Sequence, residues 1–283
     1  MAGILVALLM LILGTNDALA GSKISALQIK GSDTMVNLGQ AWAERYMEEH
    51  PDAFIAVTGG GSGTGMASLI SGTCDIAMSS RNIKQKEIDQ ANAKGRSPVE
   101  VKVALDGIAV VVHPKNAVGK LTLDQLADIF SGRIANWKQV GGADAKIVIL
   151  SREVNSGTHV YFKEHVLRKN DPGLKTEFAP DALMLSSSQA IADEVAGNPS
   201  AIGYYGMGYI SPRQKVIAVA KDEKSEYIEP TIDNVVKNLY PISRPLYFYF
   251  NNECQGLAKE FIDFALSPEG QAIVKETDFV PIK

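Results

Sequence analysis

The chain has 283 residues, enough for two domains with a sizeable core, and its 46% hydrophobic and 21% charged residues are ordinary for a folded globular protein. A formal charge of −4 argues against a nucleic-acid partner or an anionic membrane surface, so an anionic ligand would have to be held by local dipoles and not by a basic field.

The first element is an unbroken apolar run over residues 4–13, too short to span a bilayer and followed by Ala18-Leu19-Ala20, a small-x-small cleavage pattern. It reads as a secretory signal peptide over residues 1–20, although no positive side chain precedes the apolar run. Beyond it, short apolar runs alternate with amphipathic stretches, the signature of α/β architecture with largely parallel sheets. Strands are expected at Ala26–Lys30, Phe54–Thr58, Asp75–Ser79, Gly107–His113, Lys146–Ser151, Ala201–Tyr205, Val216–Val219 and Pro245–Phe250. Helices are expected at Met35–His50, Thr64–Ile70, Lys84–Ala93, Leu123–Phe130, Thr158–Lys169, Ser188–Ala196, Ile232–Leu239 and Gln255–Glu276, the last interrupted at Pro268. The aromatic run Tyr247–Phe250 and the pair Tyr204-Tyr205 read as core strand.

Three stretches rich in Gly, Ser and Thr stand where a strand gives way to a helix: Gly31-Ser32-Asp33-Thr34, the run Gly59 to Gly65, and Asn155-Ser156-Gly157-Thr158. A helix start presents unpaired N–H groups and a partial positive charge, serine and threonine add hydroxyl donors, and glycine permits close approach. Open α/β sheets bind ligands at the carboxyl ends of their strands, so the three stretches together suggest one anion held between several helix ends. Ser79-Ser80-Arg81 is a fourth loop of the same kind. The Gly59–Gly65 run contains no Walker lysine, fails the dinucleotide spacing and gives Ser62 no nucleophile elbow, which points to an anion smaller than a nucleotide. Arg152 offers a planar fork suited to a tetrahedral oxyanion; beside Ser156 to Thr158 it reads as a ligand contact, the alternative being a surface bridge to Glu153. Asp106, ahead of an apolar strand, can cap or accept a proton. The histidines are too scattered for a metal set, and no serine has the context of a hydrolytic nucleophile. Cys74 and Cys254 are left as a bridge or as two free thiols.

In that order these motifs, with Asp75 to Arg81, Asp106 to Val110 and Arg152 to Thr158, resemble the phosphate-binding proteins of bacterial phosphate ABC transporters, from about Ile24 to the C-terminus. The resemblance implies a two-domain type II periplasmic-binding-protein fold, α/β, with two hinge crossings near Ile108–His113 and Arg244–Tyr249. It places one domain at residues 22–108 plus 246–283 and the other at 109–245. It implies phosphate contacts at Thr34, the Met35 backbone and Ser62, with Arg152, Ser156, Gly157 and Thr158 matching the family's second-domain cluster; Ser32, Ser80, Arg81 and Asp106, from the same loops and the strand start, complete the candidate ligand set. Where some members carry an aspartate that takes up the ligand's proton, this chain has Ser80, which leaves Asp106 as the acceptor if sulfate is rejected. The function implied is capture of inorganic phosphate in the periplasm and delivery to a membrane permease, by a monomer without catalysis, cofactor, metal or nucleic acid. The alternatives are sulfate, molybdate or tungstate on the same fold, an exported phosphatase, or a signalling or adhesion module.

Overall fold

The computed structural model describes residues 25–252 and 254–282, and the expected leader lies outside them. β1 (Ser25–Gly31) turns through a short 3-10 segment, Asp33–Met35, into α1 (Val36–Glu49). β2 (Ala53–Thr58) feeds α2 (Ser62–Ser71), and β3 (Ile76–Ser79) leads towards α3 (Gln85–Asn92). β1 lies between β2 and β3 and parallel to both, with Lys30 opposite Thr58 and Gly31 opposite Met78. The three strand ends are therefore level, and their loops open on one edge.

β4 (Pro98–Val112) is longer than expected, because the stretch Val99-Glu100-Val101-Lys102-Val103 alternates as a strand does before the apolar run begins. After it come β5 (Lys120–Thr122), α4 (Leu123–Phe130), β6 (Val148–Arg152) and α5 (Gly157–Phe162). The helix expected to run to Lys169 gives way after Phe162 to a π turn, Lys163–Leu167. β7 (Leu183–Leu185), α6 (Ser188–Gly197), β8 (Ala201–Gly206), β9 (Lys215–Val216), β10 (Ala218–Ala220) and α7 (Ile232–Val236) complete this part. β5 and β7 are three residues long, too short for a period-2 pattern to register, and the strand expected at Val216–Val219 is split into β9 and β10.

The chain returns through β11 (Ser243–Asn251) and ends in α8 (Gly256–Leu266) and α9 (Pro268–Glu276). The break between the last two helices falls at Pro268, where Ser267 caps the new helix by accepting from the Gly270 N–H.

One sheet runs β2-β1-β3-β11-β4-β8-β6-β7, with β9 also paired to β4. β4 ties its two halves together. From Pro98 to Gly107 it pairs antiparallel with β11, and from Ile108 it pairs with β8. At the residue just before β11, the Ile242 carbonyl accepts from the Ile108 N–H at 2.8 Å. On one side of the switch Trp42, Met78, Phe248 and Phe261 are buried; on the other, Phe130, Phe162 and Tyr204, the last two stacked with centroids 3.9 Å apart. The aromatic runs are core, as expected. Cys74 and Cys254 are free thiols.

Candidate functional site

β1, β2 and β3 deliver Ser32, Thr34, Ser62 and Ser80 to one place, and the turn from β6 into α5 delivers Ser156, Gly157 and Thr158 against them. All seven are buried. Ser32 Oγ donates to Ser80 Oγ at 2.9 Å, Ser62 Oγ accepts from the Ser80 N–H at 3.1 Å, and the Ser62 and Ser80 hydroxyls stand 3.3 Å apart. Across from them Thr34 Oγ1 and Thr158 Oγ1 share a hydrogen bond of 2.8 Å. Gly157 is packed against the serines so closely that a Cβ there would lie 2.3 Å from Ser62 Oγ. Ser156 serves as the α5 cap, its Oγ accepting from the His159 N–H at 3.4 Å. Buried hydroxyls that pair with one another can rotate their protons towards a better acceptor at little cost, which suits an oxyanion.

Two sequence expectations need correction. Arg81 does not join the cluster: its Nη2 and Nη1 grip Glu87 at 2.7 and 2.9 Å, and Nη1 also donates to the Asn82 carbonyl. The first turn of α3 causes this, since Glu87 also accepts from the Lys84 N–H and so stands under Arg81. The Met35 N–H is committed to the Ser32 carbonyl at 3.0 Å, closing the 3-10 turn, and its side chain is core.

Arg152 is almost wholly buried, with Asp33 at 3.1 Å from Nη1. It also donates to Ser188 Oγ and to the carbonyls of Ser186 and Leu185. The adjacent Glu153 is not its partner. Burial lowers the Arg152 pKa from its ordinary value, and Asp33 opposes that shift. Asp33 reaches further: its carboxylate accepts from the Ser188 N–H at 2.8 Å, and its carbonyl from the Tyr209 hydroxyl at 2.8 Å.

Asp106 is fully buried, and its Oδ2 is held by Arg244 through Nε at 3.0 Å and Nη2 at 2.8 Å. Oδ1 accepts from the Met207 N–H. Burial pushes the Asp106 carboxyl up, while Arg244 pulls it down. Arg244 Nη1 also donates to the Ser80 carbonyl at 2.9 Å, and Nη2 lies 2.9 Å from Thr158 Oγ1. Sequence reasoning used Arg244 only to mark a hinge crossing and passed over Asp33. The available signal was an arginine opening an otherwise apolar strand.

The β2–α2 and β6–α5 loops also clasp each other. Asn155 Nδ2 donates to the Gly60 carbonyl at 2.8 Å, and the Asn155 carbonyl accepts from the Gly63 N–H at 2.9 Å. Gly61 sits at φ +91° with its Cβ position 2.8 Å from that same carbonyl, so glycine is required both for the backbone angle and for the approach. Among the described residues there is no group of His, Cys, Asp and Glu that could hold a metal ion.

Comparison with known proteins points one way. The PBP superfamily domain matches residues 17–269. The phosphate-binding protein PstS of Bacillus subtilis is 36% identical over 258 residues, covering 91% of this chain and 81% of that protein. PstS of Pseudomonas aeruginosa is 32% identical over 269 residues, covering 89% and 81%. Among solved structures, a Clostridium perfringens substrate-binding protein assigned to phosphate ABC transport, with phosphate bound, superimposes with a TM-score of 0.82 at 35% identity, covering 92% of this chain and all of that one. This solved relative shares the two-domain α/β fold that the resemblance implied. On these matches the chain belongs to the PBP superfamily and, within it, to the family of PstS phosphate-binding proteins.

Proposed function

We propose that the protein binds inorganic phosphate and hands it to the membrane permease of an ABC transporter, as an exported periplasmic monomer with no catalysis of its own. The observation that carries this reading is the meeting of hydroxyls from the β1, β2 and β3 ends with the Ser156–Thr158 turn. Burying an oxyanion is costly unless each oxygen finds donors, and this cluster supplies several from different segments. The binding set is Ser32, Thr34, Ser62, Ser80, Ser156, Gly157 and Thr158. Asp106, expected from sequence as acceptor for the ligand's proton, has both oxygens engaged by Arg244 and the Met207 N–H and so stands behind the cluster, and Arg152 is a buried cation linked to the cluster through Asp33. The domains are residues 22–108 plus 246–283 and residues 109–245, a division supported by the change of β4 partner between Gly107 and Ile108. Closure of these domains on the anion is the signal a permease can read. Among the described residues no helix is long and apolar enough to cross a membrane.

Calorimetry with phosphate and with sulfate at matched ionic strength tests the reading. Tight phosphate binding with sulfate silent is expected. A preference for sulfate overturns the ligand, and turnover of a phosphate ester above a buffer blank overturns the absence of catalysis.

A further inference from the structure

Three buried arginines surround the cluster, and each meets a carboxylate: Arg81 with Glu87, Arg152 with Asp33, Arg244 with Asp106. They differ in where the rest of each fork goes. Arg81 gives its remaining contact to the Asn82 carbonyl. Arg152 gives Nε, Nη1 and Nη2 to Leu185, Ser188 and Ser186, all outside the hydroxyl cluster. Arg244 directs its Nη atoms into the cluster: Nη1 to the Ser80 carbonyl, Nη2 to Thr158 Oγ1 at 2.9 Å and towards Thr34 Oγ1 at 3.5 Å.

We propose that Arg244 is the guanidinium that touches the bound anion and that Asp106 is the positioning residue that aims it. This rests on the oxyanion reading of the site given above. Nη2 stands over the Thr34–Thr158 pair, so an oxygen that draws both hydroxyl protons lies within reach of an Nη2 proton as well. Asp106 Oδ1 is pinned by the Met207 N–H, which leaves Oδ2 to fix the fork through Nε and Nη2. Both side chains are almost wholly buried, so the fork is ordered in advance of binding. Arg244 and Asp106 also stand opposite each other in the β11–β4 register, one pair before the last β11 pair at Gly107, after which β4 changes partner. An anion contact through Arg244 is thereby made directly on the strands that join the two halves of the sheet.

The test combines calorimetry on the full mature chain with a crystal structure grown in phosphate. Wild-type protein that does not bind phosphate overturns the function proposed above; the remaining arms bear on Arg244. Arg244→Lys keeps the charge and loses the fork, and its phosphate affinity should fall about thirtyfold or more. In a Thr158→Val background the same change should still cost about tenfold, because a direct contact does not act through that hydroxyl. Asp106→Asn should weaken wild-type binding yet cost nothing further once Arg244 is lysine, an outcome that general loss of stability would not produce. Affinity of Arg244→Lys within threefold of wild type overturns the inference. Independently of whether the variants fold, an Arg244 Nη atom within about 3 Å of a phosphate oxygen supports it, and Nη atoms beyond hydrogen-bond reach overturn it.

Discussion

Gly157 shows how tightly the cluster is drawn: a Cβ there would stand 2.3 Å from Ser62 Oγ and 2.6 Å from Ser80 Oγ. Neither hydroxyl can retreat freely, because the Ser62 oxygen is tied to the Ser80 N–H and the Ser80 hydroxyl is paired with Ser32. Gly157→Ala should therefore hold the β6–α5 turn away from the serines. Overpacking of this kind costs about 2 kcal/mol, or roughly thirtyfold in phosphate affinity by calorimetry. Wild-type affinity in this variant would show that the contact opens when the anion binds. The motif was legible because Asn-Ser-Gly-Thr is a helix-start signature. Its opposing wall was not, since Ser62 and Ser80 lie far away in sequence.

At the scale of elements, the Gly59–Gly65 run reads from sequence as a backbone cradle for an anion. The structure gives part of it a second task, the approach of the loop between β6 and α5. The Asn155 carbonyl accepts from Gly63, and its amide donates to the Gly60 carbonyl and, at 3.2 Å, to Thr64 Oγ1. Asn155→Ala removes the two amide bonds and keeps the carbonyl contact. About 1 kcal/mol is expected, seen as roughly fivefold faster phosphate release in stopped flow with the association rate nearly unchanged. The helices themselves follow local rules: Thr122, Ser187 and Ser267 each cap the helix that follows with a side-chain oxygen.

For the whole molecule, acid stability carries a readable contribution from His159. It lies buried behind the Ser156–Thr158 turn, with Nδ1 3.2 Å from Ser151 Oγ, which in turn bonds the Tyr204 hydroxyl. Burial lowers its pKa from 6.5 to about 4. The unfolded chain then binds a proton more readily than the folded one between those limits. The neutral imidazole's contribution is full above pH about 6.5 and is lost as pH falls towards 4, at no more than about 1.4 kcal/mol per pH unit. His159→Gln should flatten the melting temperature over this window relative to wild type, and an unchanged slope would assign the acid sensitivity to other groups.

The alternation of strand, loop and helix, the α/β class and the hydroxyl-rich loops at strand ends follow from local pattern, because periodicity and capping act over a few neighbouring residues. Which arginine faces those loops does not. Arg81 is withdrawn by a glutamate six residues away, whereas Arg244 is turned inward by an aspartate 138 residues away on a neighbouring strand. Buried charge settles wherever the packed chain supplies a counter-ion and donors, and that is determined by strand pairing across the sheet and not by sequence proximity.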